Sequence, residues 1–288
     1  MRILIAGPGL MGSQIGVEYA LTGHSVVFLA RDAKKAHQRI ESAWETADAM
    51  NRWPDAAFEQ ARQRVTVAAE LDAVEGPVEL VLESVVEDAE AKGLVLRAAA
   101  ERYPGAMLAS NTSSISIGRL GELSGAPERT IGNHYWNPPL LMPLVEVISG
   151  PKSDPAVVQR SVELIASVGK RPVVVEKDVD GFVWNRLQLA LLREAVWIVE
   201  NGVASPGVVD EIVRDGLARR WRYTGPFETA ALGGPDTFTR VANNLWPVLS
   251  NADKVEDLAR WLIDDASMLG EIKAQRDAGL LRDLERDE

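Results

Sequence analysis

No cysteine occurs in these 288 residues, which excludes disulfides, thiol nucleophiles and thiolate metal sites and fits a reducing cytoplasm. Histidine is nearly as scarce. Its three copies stand at 24, 37 and 134, a spread that argues against a histidine-based metal site, so no metal is expected. Basic residues are outnumbered 31 to 42, for a formal charge of −11. That balance argues against a broad footprint for nucleic acid or an anionic membrane, so any anionic ligand must meet a local cationic site. Long apolar runs are missing too: no stretch approaches the roughly 18 residues that span a bilayer. The start, MRILIAG, lacks the cationic opening and long apolar run of a secretion signal. These absences predict a cytoplasmic protein with small-molecule partners. The remaining composition, 46% hydrophobic, is that of an ordinary globular chain long enough for two domains.

The first thirty residues read as strand, tight turn, helix and strand: Arg2 to Ala6, Gly7 to Gly12, residues 10–22, then Ser25 to Leu29. Residues 33–64 carry helical spacing around Ile40, Trp44, Ala47, Phe58 and Ala61, with Pro54 opening a second piece, which predicts an inserted helical hairpin. Short apolar runs follow at Val65–Val67, Glu79–Leu82, Ala106–Ala109, Thr130–His134, Leu144–Ile148 and Pro172–Val175, with helical stretches near 89–101 and 155–168. Such alternation predicts a mostly parallel, doubly wound α/β sheet of Rossmann type. Strand signals stop near 178–181, and beyond them only helical periods appear: 182–201, 206–217, 227–232, 235–249 and 254–278. The expected division is a dinucleotide-binding domain at 1–179 and an all-helical domain at 180–288, with the charged end from Arg282 to Glu288 a frayed helix terminus.

In Gly7-x-Gly9-x-x-Gly12 the first glycine permits the tight turn, the second lets backbone approach a pyrophosphate, and the third allows close helix–strand packing. Leu10 and Met11 complete the candidate phosphate turn. Many NAD-binding strands end in Asp or Glu to hold the ribose 2′-hydroxyl, whereas this one ends Leu29-Ala30-Arg31-Asp32. A small residue followed by Arg suits a 2′-phosphate, which guanidinium engages bidentately. The cofactor is therefore NAD or NADP with a lean to NADP. Asp32 swinging back to the ribose, with Arg31 a solvated charge, stays open.

His134 lies in the strand-like run Gly132–Pro138, and Glu146 alone interrupts the apolar Leu144–Ile148. Histidine's ordinary pKa lies nearest neutrality, so a His with a carboxylate partner is a natural general base for an alcohol proton. A buried unpaired carboxylate is costly, which makes His134 the obvious partner of Glu146. The alternative places Glu146 toward solvent and makes His134 a satisfied core histidine.

With these pieces in hand the chain resembles the 3-hydroxyacyl-CoA dehydrogenase superfamily from residue 1 to about 240. The resemblance is carried by Gly7–Gly12, Glu83–Glu87, Ser110–Ser114, Gly132–Pro138, Pro143–Val147, Gly181–Arg186 and Gly225–Glu228. It implies His134 as catalytic base, Glu146 as its orienting partner, and Ser113, Asn137 and Asn185 as polar groups around the reacting oxygen. Glu87 and Asn111 would lie on the nicotinamide side. It also implies a homodimer paired through the helical domain. Two plainer readings stay open: Ser113 and Ser114 capping the helix that starts near Ser116, and Asn185 as an ordinary polar position.

Two features depart from the acyl-CoA pattern. The helical insertion has only Lys34 and Lys35 as lysines, and Glu41, Glu45, Asp48, Asp55 and Glu59 offset most of its cationic charge, a poorer reception for CoA phosphates. Before Gly225-Pro226, where small residues are usual, the chain reads Arg219-Arg220-Trp221-Arg222. This resembles the branches that oxidise small free hydroxy acids, such as gulonate and carnitine dehydrogenases. Arg220 would clamp a substrate carboxylate, and Trp221 with Trp136 and Trp184 would narrow the pocket. The plainer reading is a cation-decorated helix end. The glycine-aromatic motif that often closes the last helical region is missing, which leaves the role of the last 40 residues open. The expected function is NAD(P)-linked hydride transfer at a 3-hydroxy acid or its thioester, or strictly at a small free acid. A non-catalytic dinucleotide-binding or structural protein is the rival, since fold alone does not confer activity.

Overall fold

Short connections decide much of this architecture. The computed structural model describes residues 1–255, 257–263 and 265–287. In chain order it has β1 (Arg2–Ala6), α1 (Leu10–Leu21), β2 (Ser25–Leu29), α2 (Ala33–Asp48), α3 (Asp55–Gln63), β3 (Val65–Ala68), β4 (Leu80–Glu83), α4 (Ala89–Arg102), β5 (Met107–Ser110) and α5 (Ile117–Ser124). Next come β6 (Thr130–Tyr135), β7 (Leu144–Ser149), α6 (Pro155–Ser167) and β8 (Arg171–Val175). The strands form one sheet in the order β3-β2-β1-β4-β5-β6-β7-β8. Strands β1 to β6 run parallel, β7 is antiparallel to β6, and β8 parallel to β7. Residues 136–143 are too few for the crossover that a parallel β6–β7 pair would need, so the chain turns back.

The central strands are sandwiched by helices on both faces, which is why β1, β4 and β5 read as continuous apolar runs rather than alternating ones. Strand order reverses between β1 and β4, and in such sheets the crevice at the carboxyl ends of the strands is where ligands bind. The turns after β1, β4 and β5 and the end of β6 all lie on that edge.

After β8 the chain is helical: α7 (Trp184–Glu200), α8 (Pro206–Glu211), a π-helical stretch (Ile212–Leu217) running into α9 (Ala218–Trp221), α10 (Pro226–Gly233), α11 (Pro235–Leu245) and α12 (Ala266–Asp287). The helix expected over 235–249 ends at Leu245. It tightens into a 3₁₀ turn at Trp246–Val248, where Pro247 offers no N–H to the preceding turn. Of the stretch 254–278, read as one helix, Leu258–Trp261 is a 3₁₀ turn and α12 starts only at Ala266. Residues 256 and 264 of that stretch, and Glu288 of the charged end, lie outside the described residues.

Two compact units result, one of residues 1–185 with the chain from Ile272 onward, the other Arg186–Glu271. The part of α12 from Ile272 onward thus groups with the α/β unit. Leu280, Leu281 and Leu284 make an apolar stripe, and Leu284 is buried in the same core cluster as Ile15, Val17 and Leu164. Within 186–271, Thr229 alone among the described residues is buried. No helix among the described residues is long and apolar enough to cross a membrane.

Candidate active site

The turn after β1 is shaped by backbone crowding. Gly7 has φ +93°, and a Cβ there would lie 2.7 Å from the Ser84 carbonyl oxygen. A Cβ at Gly12 would lie 2.3 Å from the Gly7 carbonyl oxygen, whereas one at Gly9 would meet nothing within 4 Å. The two flanking glycines therefore close the turn and the middle one leaves its outer side open. Gly9 caps α1 without any side-chain hydrogen bond, so the helix presents its first N–H groups and positive end uncapped. Leu10 is half exposed and Met11 packs on the core at this end. These residues fit a dinucleotide's pyrophosphate. At the end of β2, Asp32 accepts the Lys35 N–H at 3.0 Å and caps α2. That bond holds its carboxyl below the ordinary value and engages Oδ1, with the side chain half exposed. Arg31 is exposed beside it.

His134, next to last in β6, lies directly opposite Glu146 of β7 in the antiparallel register. Both side chains are buried, and His134 Nδ1 lies 2.7 Å from Glu146 Oε2. The other carboxylate oxygen accepts the N–H groups of Val183 at 3.1 Å and Trp184 at 3.0 Å. Burial pushes the Glu146 carboxyl up. The hydrogen bonds from His134, Trp184 and Val183 outweigh it, and the group titrates below its ordinary value. The alternative of a solvent-facing Glu146 is thereby set aside: a carboxylate with three donors in a dry site is a fixed negative charge beside the imidazole.

A second carboxylate organises the loop after β5. Glu87 Oε1 accepts from the Thr112 hydroxyl (2.6 Å), the Ser113 N–H (2.8 Å), the Ser114 N–H (3.0 Å) and the Ser114 hydroxyl (3.0 Å). Ser116, not Ser113 or Ser114, caps α5. Ser113 is exposed, and its carbonyl accepts the Asn185 amide N–H at 2.8 Å. Asn185 lies in the first turn of α7, so the structure brings Ser113 and Asn185 together through the backbone. Asn111 accepts the Tyr135 N–H at 2.8 Å, tying the loop to β6. Past His134, the Trp136 indole stacks on Trp184 with centroids 3.7 Å apart; Asn137 is exposed and its bond to Pro138 is cis.

Lys92 escaped the sequence reading. It is fully buried on α4 and lies 2.9 Å from Glu83 Oε1 and 3.2 Å from Glu87 Oε2. Glu83, which also accepts the Ser110 hydroxyl at 2.6 Å, closes an apolar strand, and that was the available signal: such a carboxylate needs a cation. Burial raises the Glu83 carboxyl despite Lys92. Arg220 and Trp221 belong to the helical unit. There Arg220 lines a cleft of about 390 Å³ with Tyr223, Thr224, Thr229, Leu232 and Phe238, and Trp221 is partly exposed.

Residues 2–179 match the family model of the 3-hydroxyacyl-CoA dehydrogenase NAD-binding domain, and residues 181–276 match that of its C-terminal domain. The chain belongs to the 3-hydroxyacyl-CoA dehydrogenase family. As a member it is a nicotinamide-dependent dehydrogenase acting on a hydroxyl-bearing carbon. It is 37% identical to 5-formyl-3-hydroxy-2-methylpyridine 4-carboxylate 5-dehydrogenase of Mesorhizobium japonicum, over 88% of this chain and 82% of the relative. It is 30% identical to L-carnitine dehydrogenase of Streptomyces griseus, over 97% and 88%. Its fold follows the crystal structure of a 5-formyl-3-hydroxy-2-methylpyridine 4-carboxylic acid 5-dehydrogenase, an NAD+ dependent dismutase, with TM-score 0.87 and 32% identity over 98% of this chain and 96% of that one.

Proposed function

We propose that this dehydrogenase interconverts a small free hydroxy acid and its carbonyl counterpart, with His134 as general base and acid and Glu146 as its partner. The buried 2.7 Å contact between them carries the reading. With Nδ1 engaged by Glu146, Nε2 is the ring nitrogen left to take the substrate hydroxyl proton. Glu146, held ionised, stabilises the imidazolium that forms and fixes the tautomer beforehand. The Ser113 hydroxyl, Asn137 and the Asn185 amide are the polar groups for the developing alkoxide; Asn185 would have to share its N–H donors with the Ser113 carbonyl. In reduction His134 returns the proton.

Bound NAD(P) supplies the hydride acceptor for oxidation and the donor for reduction. The Gly7–Gly12 turn with the start of α1 would hold its pyrophosphate, and Glu87 and Asn111 would line the nicotinamide side. The lean to NADP rests on Ala30 followed by exposed Arg31 at the end of β2.

Toward a free acid over a CoA thioester we weigh that Lys35 pairs with Asp32 and Arg62 with Glu41 in the α2–α3 hairpin, which leaves Lys34 and Arg39 as the other exposed lysine and arginine on α2. Both relatives named above carry a carboxylate-bearing small molecule in their names. In this reading Arg220, with Trp221 nearby, receives the substrate carboxylate. The thioester remains the second reading, supported by the family's own name. We also read the helical unit as pairing with a second copy, because Leu187, Leu189, Val208 and Ile212 are exposed and that unit buries almost nothing of its own.

Titrating the protein with NADH and NADPH by nicotinamide fluorescence, then adding acetoacetyl-CoA or free 3-oxo acids, tests the assignment. Oxidation by free acids alone is expected, with NADPH bound at least as tightly as NADH. Turnover of the thioester would restore the acyl-CoA reading, and absence of cofactor binding would leave no dehydrogenase function to explain.

A further inference from the structure

One strained turn meets the proton-transfer pair. Gly181 has φ +77° and Phe182 φ +50°, a left-handed conformation that a bulky side chain adopts only under compulsion. Phe182 is fully buried, in the cluster that includes Ile117, Ile148 and Val175. Its ring centroid lies 5.5 Å from that of His134. The next two residues, Val183 and Trp184, are the ones whose N–H groups reach Glu146 Oε1. Strain of this kind persists only where the surroundings hold it, and here its product is a pair of donors aimed at one carboxylate oxygen.

We infer that Phe182 is a positioning residue for the proton-transfer pair: its buried ring pins the left-handed turn, and the turn aims the Val183 and Trp184 N–H groups at Glu146. The inference rests on the reading of His134 as the base. A merely structural phenylalanine would have no reason to sit at positive φ, since core packing is available in ordinary conformations. Other titratable or charged groups on the elements that meet here are Tyr135 on β6, bonded to Tyr19, Arg119 and Glu122 on α5, and Arg171 on β8. The connecting loop carries Glu176, Lys177, Asp180 and Asp178, whose Oδ2 is committed to Ser116 and Gly118, and α7 carries Arg186 in its first turn. On β7 the charged group is Glu146 itself.

The test compares Phe182→Ala, Phe182→Gly and Gly181→Ala. Ala at 182 removes the pin and keeps the steric penalty, so the turn relaxes and Glu146 loses two donors. The carboxylate is then less stabilised as an anion, and the pair takes up its first proton at higher pH. The acid limb of kcat/KM for alcohol oxidation is expected to move up by about half to one pH unit. The titration of the pair, followed through the His134 ring protons by NMR, should move with it. Gly at 182 accepts positive φ without a ring and should keep the limb near its original place, the reverse of ordinary truncation order. Gly181→Ala strains the same turn with every core side chain present and should reproduce the shift, which decides the matter if Phe182→Ala does not fold. Unchanged kinetics and unchanged pair titration in a folded Phe182→Ala or Gly181→Ala protein would overturn the inference. A moved NMR titration beneath an unmoved kinetic limb would uphold the turn's role and overturn the assignment of His134 as base.

Discussion

His134 and Glu146 are twelve residues apart in sequence and face each other across two strands, so each depends on the register of the hairpin between them. Replacing His134 by Ala should lower kcat by about 10²–10⁴-fold, the usual weight of general base catalysis. NAD(P)H affinity, measured by fluorescence, should stay unchanged. Glu146 carries a stability signature as well. Its folded carboxyl titrates below the ordinary 4.5, so its contribution is complete above the unfolded value and is lost as pH falls through the folded one. Glu146→Gln should therefore flatten the acid side of a plot of urea-unfolding free energy against pH, below about pH 5. An unaltered acid slope would show that Glu146 is not held ionised in the folded state.

Helix α1 does two jobs at once. Its N-terminus opens at the Gly7–Gly12 turn, while Glu18, further along, meets Lys170 in a buried ion pair at 2.9 Å. Lys170 Nζ also donates to the carbonyls of Pro139 (2.6 Å), Leu140 (3.3 Å) and Met142 (3.0 Å). The loop that leaves His134 is thus stapled to the helix that begins the dinucleotide turn, and the Tyr19–Tyr135 hydroxyl contact at 2.8 Å adds a second tie. Lys170→Met should cost about 3–5 kcal/mol in urea unfolding, because Glu18 is left buried and unpaired. Combining it with Glu18→Leu should restore only the part of that loss owed to the unpaired carboxylate, since the carbonyls of Pro139, Leu140 and Met142 still lack their donor. A double variant as unstable as the single one would locate the cost in those carbonyls and not in the ion pair.

The whole molecule is unevenly filled. The unit of residues 1–185 with the chain from Ile272 onward holds the buried core clusters, whereas the helical unit of 186–271 buries only Thr229 among its described residues. If a second copy covers those apolar faces, the melting temperature should fall on dilution as subunits separate. Sedimentation should show a species of twice 31.4 kDa; a concentration-independent monomer would remove the dimer. The strands were legible because β1, β4 and β5 are apolar on both faces and bounded by Gly, Glu or Ser. The dinucleotide turn was legible because its glycines answer to local crowding. His134 and Glu146 were legible as polar residues in strand-like runs that need partners. Lys92, Lys170 and Phe182 were not, since a lysine on a helix or a phenylalanine in a turn has no local mark of what it will meet. The docking of Leu280, Leu281 and Leu284 on the first unit also escaped, because a leucine stripe specifies a buried face but not the surface that buries it. Sequence by itself determined the local periods and the dinucleotide turn and marked the candidates for the reacting groups, because each of these marks is local to its own run of residues. Tertiary structure alone decided which carboxylate Lys170 meets, which carbonyls it holds and which N–H groups reach Glu146, because those contacts join residues from 28 to 152 positions apart.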